Sequence, residues 1–370
     1  MRRLAVLLLC LGAATAVSAA TADAAPRRVP RGWLGVVADG PLTRPGAAMD
    51  TEWDLLAGSG AESVRTGFYW PSAQPVRGTP PDLSHVDAVV LAAARRGLGV
   101  LPIVTGTPGW AATRRGDETS PPRHPGDYGR FLAALVARYG PAGSLWAEHP
   151  DVAQRPVREW QVWNEPNLTR YWSRQPFARG YVRLLRAARR ALRAADPGAR
   201  VVLAGLPNRS WTALRSIYRA GGRRLFDAVA LHPYTGHPRN VVRLARLARR
   251  VMRGFGDARK PIWITELSWP AALGRTRTAA GFETTDAGQA RRLGEGLRRL
   301  AAARRALRIE RVYWYTWLSE EGGPNAFAYS GLRRLRRGAV VSAPALRAFR
   351  AEARRLEGCA KAPGDAARCR

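Results

Sequence analysis

Val157-Arg158-Glu159-Trp160-Gln161-Val162-Trp163-Asn164-Glu165-Pro166 is the stretch on which the reading of the fold turns. A strand-length stretch carrying Val157, Trp160, Val162 and Trp163 gives way to a polar turn ending in proline. From 177 to 195 it is followed by an Ala/Leu/Arg segment with apolar residues on one helical face and arginines on the other. That is one strand-loop-helix unit, and the rhythm recurs along the chain. Strand signals lie at Trp33 to Ala38, Ser63 to Tyr69, Val100 to Thr105, Val201 to Leu206, Ala228 to His232, Pro261 to Glu266 and Arg311 to Trp317. Helical patterns occupy 49–57, 85–96, 127–139, 211–220, 240–253 and 286–306, and a last one begins near 343.

Eight such units in a 370-residue chain fit a (β/α)8 barrel, an α/β TIM barrel, in a single domain over 31–357. The competing doubly wound sheet usually carries a glycine-rich phosphate turn after its first strand. Trp33 to Gly40 has none, and no phosphate-binding G-x-x-x-x-G-K-[ST] occurs anywhere. No Ser/Pro linker marks a second domain; the proline-rich pieces at 75–81 and 119–125 fall in expected loops.

Outside the barrel, residues 1–24 read as a secretory signal peptide: Arg2 and Arg3, an apolar run from Leu4 to about Val17, then small residues up to Ala24. The run is short for a membrane span, and the expectation is a secreted protein, extracellular or cell-wall associated, with no transmembrane segment. Residues 358–370 form a C-terminal tail whose Cys359 and Cys369 are expected to pair in an oxidising compartment. The formal net charge is +32, and Lys260 and Lys361 are the only lysines among 60 basic residues, leaving 58 arginines. The arginines are spread over helical faces rather than gathered beside a recognition motif. No nucleic-acid partner is therefore expected, although a weak attraction to anionic glycans or cell surfaces is.

The chemistry is expected where the strands finish. Strand four ends in Asn164-Glu165-Pro166 and strand seven in Thr265-Glu266. Strict alternation would put Ile262, Ile264 and Glu266 on one face, so isoleucines filling the barrel would send Glu266 into its mouth. Asn164 and Glu165 cannot both point inward on a regular strand, which calls for a bulge or the start of a loop. Two carboxylates facing each other across a barrel mouth are what glycoside hydrolysis needs, one as proton donor and one as nucleophile or charge stabiliser.

On these residues the chain resembles the clan A glycoside hydrolases, barrels with catalytic glutamates on strands four and seven, and is most similar to families 39 and 5 over about 33–350. The resemblance implies an O-glycosyl hydrolase with Glu165 as acid/base and Glu266 as nucleophile. It further implies Arg65 near the nucleophile, Asn164 on the sugar 2-hydroxyl, His232 and Tyr234 after strand six, and Trp317 as a sugar-stacking residue. The acid needs dry surroundings, expected from Trp163 and Trp172, and the nucleophile needs donors, expected from Arg65 and Tyr234.

Tryptophan (13) outnumbers tyrosine (10) and phenylalanine (8), and several tryptophans fall at strand ends or just beyond. Trp70, Trp110, Trp163, Trp172, Trp269 and Trp317 are expected near sugar, with Trp33, Trp53, Trp160, Trp211 and Trp263 in packing. The loops 106–126, 269–285 and 318–331 are expected to shape the subsites. The five histidines form no H-E-x-x-H and no cysteine cluster accompanies them, so neither metal nor cofactor is expected, and no G-x-S-x-G serine elbow occurs. The leading expectation is a retaining β-glycosidase on an oligo- or polysaccharide. Transglycosylation at the same site and a non-catalytic polysaccharide-binding or cell-wall-binding barrel are the alternatives.

Overall fold

In a computed structural model the chain is described over residues 27–358, apart from Pro45 and Thr278. The signal-peptide reading of 1–24 and the Cys359–Cys369 pairing lie outside the described residues. The barrel strands are β1 (Leu34–Val37), β2 (Ser63–Tyr69), β3 (Gly99–Thr105), β4 (Glu159–Val162), β5 (Arg200–Val202), β6 (Leu206–Pro207), β7 (Val229–His232), β8 (Ile262–Leu267) and β9 (Ile309–Trp314). All are parallel, in the order β5-β4-β3-β2-β1-β9-β8-β7-β6. The expected fifth strand is thus divided into β5 and β6, and a parallel bridge from Val202 to Ala228 closes the ring. Helices wrap the ring: α1 (Ala47–Ala57), α2 (Trp70–Ala73), α3 (Ser84–Arg95), α4 (Pro125–Tyr139), α5 (Ser144–Glu148), α6 (Ala178–Ala195), α7 (Ser210–Arg219), α8 (Pro238–Gly254), α9 (Asp286–Leu307) and α10 (Pro344–Glu357). No helix among the described residues is long and apolar enough to cross a membrane.

Two apolar layers result. The large one lies between strands and helices and takes the outward side chains Val64, Phe68, Trp160, Val162, Ile262 and Ile264. The small one fills the barrel with Val37, Leu101, Val202, Ala228, Ala230, Trp263 and Tyr313. This corrects the expected orientation of β8: its isoleucines face the helices and Trp263 faces the axis. Alternation alone would then turn Glu266 outward. A bulge restores it, because Ile264 pairs with Val312 and Leu267 with Trp314, so three steps on β8 match two on β9.

The last expected strand is also shorter than Arg311 to Trp317. β9 ends at Trp314, and the chain then enters a three-stranded sheet of β10 (Leu318–Glu320), β11 (Arg333–Arg336) and β12 (Ala339–Ser342) that was not anticipated. Its hairpin turns at Arg337-Gly338, both at positive φ, 49° and 82°, the backbone that a two-residue turn between twisted strands demands.

Candidate active site

Arg65, fully buried on β2, is the hub of the barrel mouth. Its Nε donates to Gln161 Oε1 (2.7 Å), Nη1 to Glu266 Oε1 (2.7 Å) and Nη2 to Asn164 Oδ1 (3.0 Å). A planar fork with five donors suits three acceptors, two from β4 and the residues just after it and one from β8, which a lysine would not. Glu266 receives a second donor, the Tyr234 hydroxyl on its Oε2 (2.6 Å). Tyr234 is itself held by stacking on Phe282 (ring centroids 5.2 Å) and by the edge of Phe327 (5.0 Å).

Glu165 reaches the same space by local backbone distortion. Trp163 and Glu165 both adopt positive φ, 70° and 42°, just after β4. Left-handed backbone at a non-glycine residue costs on the order of 1–3 kcal/mol, and here it re-aims Glu165 toward the axis. The Glu165 amide bonds to Gly205 O (3.2 Å), in the gap between β5 and β6. Gly205 has to be glycine, since a Cβ there would stand 1.8 Å from His232 Nε2. The division of the fifth strand thus makes room for the histidine.

His232, fully buried at the end of β7, joins the two carboxylates. Its Nδ1 is 2.7 Å from Glu165 Oε1 and 3.4 Å from Glu266 Oε2, and its Nε2 is 3.0 Å from Thr265 Oγ1. Arg65 Nη2, which only donates, stands 3.4 Å from Nε2. With the ring neutral, Nε2 is the acceptor and Nδ1–H donates to Glu165. One oxygen of Glu165 and one of Glu266 lie, with the histidine nitrogen, within 4.8 Å of one another. That triad also has the composition of a metal site. Arg65 argues against such use: its guanidinium already neutralises Glu266, where a cation would have to bind.

The two glutamates are electrostatically unlike. Burial acts to raise the Glu266 pKa. The charge of His232 when its ring is protonated, the Arg65 guanidinium, and the hydrogen bonds from Tyr234 and Arg65 act the other way and prevail, leaving it below the ordinary carboxylate value. Glu165, 3% exposed, has among the described residues an exposed Arg170 at 3.5 Å as its one cationic partner besides His232. Tyr234 is pushed well above its usual range by burial and by the negative Glu266, so its hydroxyl stays a donor.

These groups line a cavity of about 290 Å³, near the lower end for ligand sites and suited to one sugar ring. Arg65, Asn164, Glu165, Tyr234 and Glu266 meet there, with His232 directly behind. Of the six tryptophans expected near sugar, Trp317, Trp110 and Trp172 do not line this cavity. Trp317 is fully buried, with Nε1 on Glu52 Oε2 (3.2 Å), and has no free face. Trp110 bonds Gln74 O (2.9 Å) and sits edge-on to Trp70, beside a different cavity. Trp172 is 1% exposed, edge-on to Trp163, and stands behind the site. Trp70 and Trp269 are likewise fully buried. A wide indole fills space between layers here, and the cavity wall falls instead to Tyr69, Tyr171, Tyr315 and Phe327, with Trp163 the one tryptophan that borders it. The loops 106–126 and 318–331 contribute Glu118, Thr119, Asn325 and Phe327 to this wall.

The closed parallel barrel, with two buried carboxylates and an arginine at its carboxy-terminal mouth, defines the class of this chain as a (β/α)8 barrel, and solved structures match its fold. A monomeric β-xylosidase from Caulobacter crescentus CB15 matches with a TM-score of 0.66 and 20% identity, over 88% of this chain and 69% of its own. A family 39 glycoside hydrolase from Bacteroides cellulosilyticus WH2 gives 0.62 and 18%, over 88% of this chain and 64% of its own. A family 5 enzyme from Streptomyces cattleya, solved with Manβ1-4GlcNAc, gives 0.63 and 19%, over 90% and 81%. The chain therefore spans about two thirds of the length of the family 39 structures, and at these identities the likeness establishes the fold. No family model and no curated protein sequence matches the chain.

Proposed function

We propose that the protein is a retaining β-glycosidase, exported by its basic and apolar amino-terminal segment, that cleaves an oligo- or polysaccharide by double displacement. The observation that carries this reading is the unequal pair Glu165 and Glu266, joined through His232 with an oxygen of each within 4.8 Å of the other. Retaining enzymes place their carboxyl groups about 5–5.5 Å apart, whereas inverting enzymes need about 6.5–9.5 Å to admit a water.

The surroundings divide the roles. Glu266, held ionised by Arg65 and Tyr234, attacks the anomeric carbon as the bond to the leaving oxygen breaks. Glu165 gives its proton to that oxygen and, as a carboxylate, accepts the His232 Nδ1–H. It then takes a proton from the water that attacks the glycosyl ester and releases Glu266. The layout of space supports the same division. A second cavity adjoins the first, is lined by Leu168, Pro207, Phe282 and Phe327, and shares Glu165 but not Glu266. A leaving group in that space would sit beside the acid and away from the nucleophile.

The test is kinetic, with aryl β-glycosides of differing leaving groups. Glu165→Gln should slow substrates with poor leaving groups far more than activated ones, and Glu266→Gln should stop both. Equal losses across leaving groups in Glu165→Gln would overturn the assignment.

A further inference from the structure

Asp39 lies just beyond β1, lines the catalytic cavity, and has no part in the steps above. Thr316 Oγ1 approaches its Oδ1 at 2.7 Å, and the Tyr315 hydroxyl also bonds the carboxylate. Among the described residues no arginine, lysine or histidine stands within ion-pair distance of it. This is unusual for a partly buried acid in a chain with 58 arginines, where most of the buried acids are paired. A carboxylate offers about four acceptor sites, and the two neighbours use only part of them. Burial raises its pKa, the bonds from Thr316 and Tyr315 lower it, and the nearby Glu266 raises it, for a net upward shift.

The cavity as a whole has the opposite sign to the protein. Four carboxylates line it, Asp39, Glu118, Glu165 and Glu266, against Arg65 and Arg170. Arg65 is committed to Glu266 at 2.7 Å, and Arg170 is a largely exposed side chain 3.5 Å from Glu165. Among the described residues that line the cavity, no uncommitted buried cation is left to receive a sugar carboxylate. The arginines that make the surface basic would draw an acidic glycan to the outside of the barrel, and of these exposed arginines only Arg170, already beside Glu165, lines the cavity among the described residues.

We propose that Asp39 is a specificity-determining residue of the glycone subsite: it accepts hydrogen bonds from hydroxyls of an uncharged sugar ring and turns away a uronic acid. This rests on the glycosidase reading and narrows its substrate class to neutral glycones. Hydroxyl donors satisfy the remaining lone pairs of a partly buried carboxylate, whereas a second carboxylate in a cavity of about 290 Å³ meets like charge.

The experiment compares wild type, Asp39→Asn and Asp39→Ser on aryl β-xyloside, glucoside, galactoside, mannoside and glucuronide. Binding of the same glycosides to the Glu266→Gln variant, with and without Asp39→Asn, is measured in parallel. The wild type should favour its best neutral glycoside over the glucuronide by at least about 100-fold in kcat/KM. Asp39→Asn should lower the neutral rate and compress that ratio at least about ten-fold, at an unchanged thermal midpoint. If Asp39 only braces Thr316 and Tyr315, all substrates fall together and the ratio stays. An unchanged ratio in both variants, or a wild type that prefers the glucuronide, overturns the inference while leaving hydrolysis intact. If nothing is cleaved but neutral glycosides still bind selectively through Asp39, hydrolysis fails and the inference stands. Absence of binding to every glycoside overturns both.

Discussion

At the amino-terminal end of the barrel Arg200 and Arg311 meet Glu159 and Glu310, while at the carboxy-terminal end the buried Arg65 pairs with Glu266, and Glu165 has His232 and the exposed Arg170. Both knots are built from strand residues around one axis. In the lower one Arg311 bonds Glu159 (2.8 Å), Arg200 bonds Glu310 (2.9 Å), and both guanidiniums lie over Trp263, whose Nε1 donates to Glu310 (2.6 Å). Charges balance there, and every acid has a cation. In the upper one the acids outnumber the buried cation, the backbone is distorted at Trp163 and Glu165, and a bulge interrupts β8. A knot that only closes a barrel settles into neutral pairs on regular strands. Unequal charge held in place by irregular backbone is what proton transfer and nucleophilic attack require.

The contrast breaks most visibly under substitution. Glu266→Gln should lower kcat on the order of 10⁴-fold, as loss of a nucleophile does, and should also lower the thermal midpoint, because it leaves the buried Arg65 without its carboxylate. If activity survived at that level, the upper knot would be structural like the lower. Arg65→Met removes the partner of a buried carboxylate and should cost about 3–5 kcal/mol in a denaturant titration, as well as activity. Tyr234→Phe takes one donor from Glu266 and should reduce kcat/KM roughly 10–100-fold, leaving folding nearly intact.

The pH response separates the two ends more finely. Folding lowers the Glu266 pKa, so its pairing adds stability above the ordinary carboxylate value, and that contribution disappears as pH falls through the lowered one. The acid limb of kcat/KM should therefore lie below about pH 4.5, the unperturbed value, and move upward in Arg65→Lys. Glu310 is also lowered: burial opposes ionisation, but Arg200 and the Trp263 donor outweigh it. Glu310→Gln should cost only about 1 kcal/mol, because that carboxylate is more than a third exposed, and should flatten the acid loss of stability without moving the activity profile.

The strand-helix rhythm was readable because each unit repeats two periodicities, and the ends of β2, β3 and β8 fall within about two residues of expectation. Glu165 and Glu266 were readable for a simpler reason: ionisable residues at the carboxy-terminal ends of barrel strands stand out against apolar runs. Burial of the tryptophans was not, since whether an indole faces sugar or helix depends on which layer receives it. Trp317 lies only two residues past Tyr315, yet it points away from the cavity that Tyr315 lines. The bulge in β8 was invisible as well, because Ile262-Trp263-Ile264 suits either face. Asp39 could have been found by asking of strand one what was asked of strands four and seven.

In the proposed double displacement Glu266 forms a covalent bond to sugar, and trapping it with an aryl 2-deoxy-2-fluoro-β-glycoside of an accepted sugar tests this most directly. Inactivation with the mass of one fluoro-glycosyl group, mapped by peptide sequencing to Glu266, is the result expected. Turnover of the parent glycoside with no adduct and inverted anomeric configuration, or an adduct on Glu165, would contradict it.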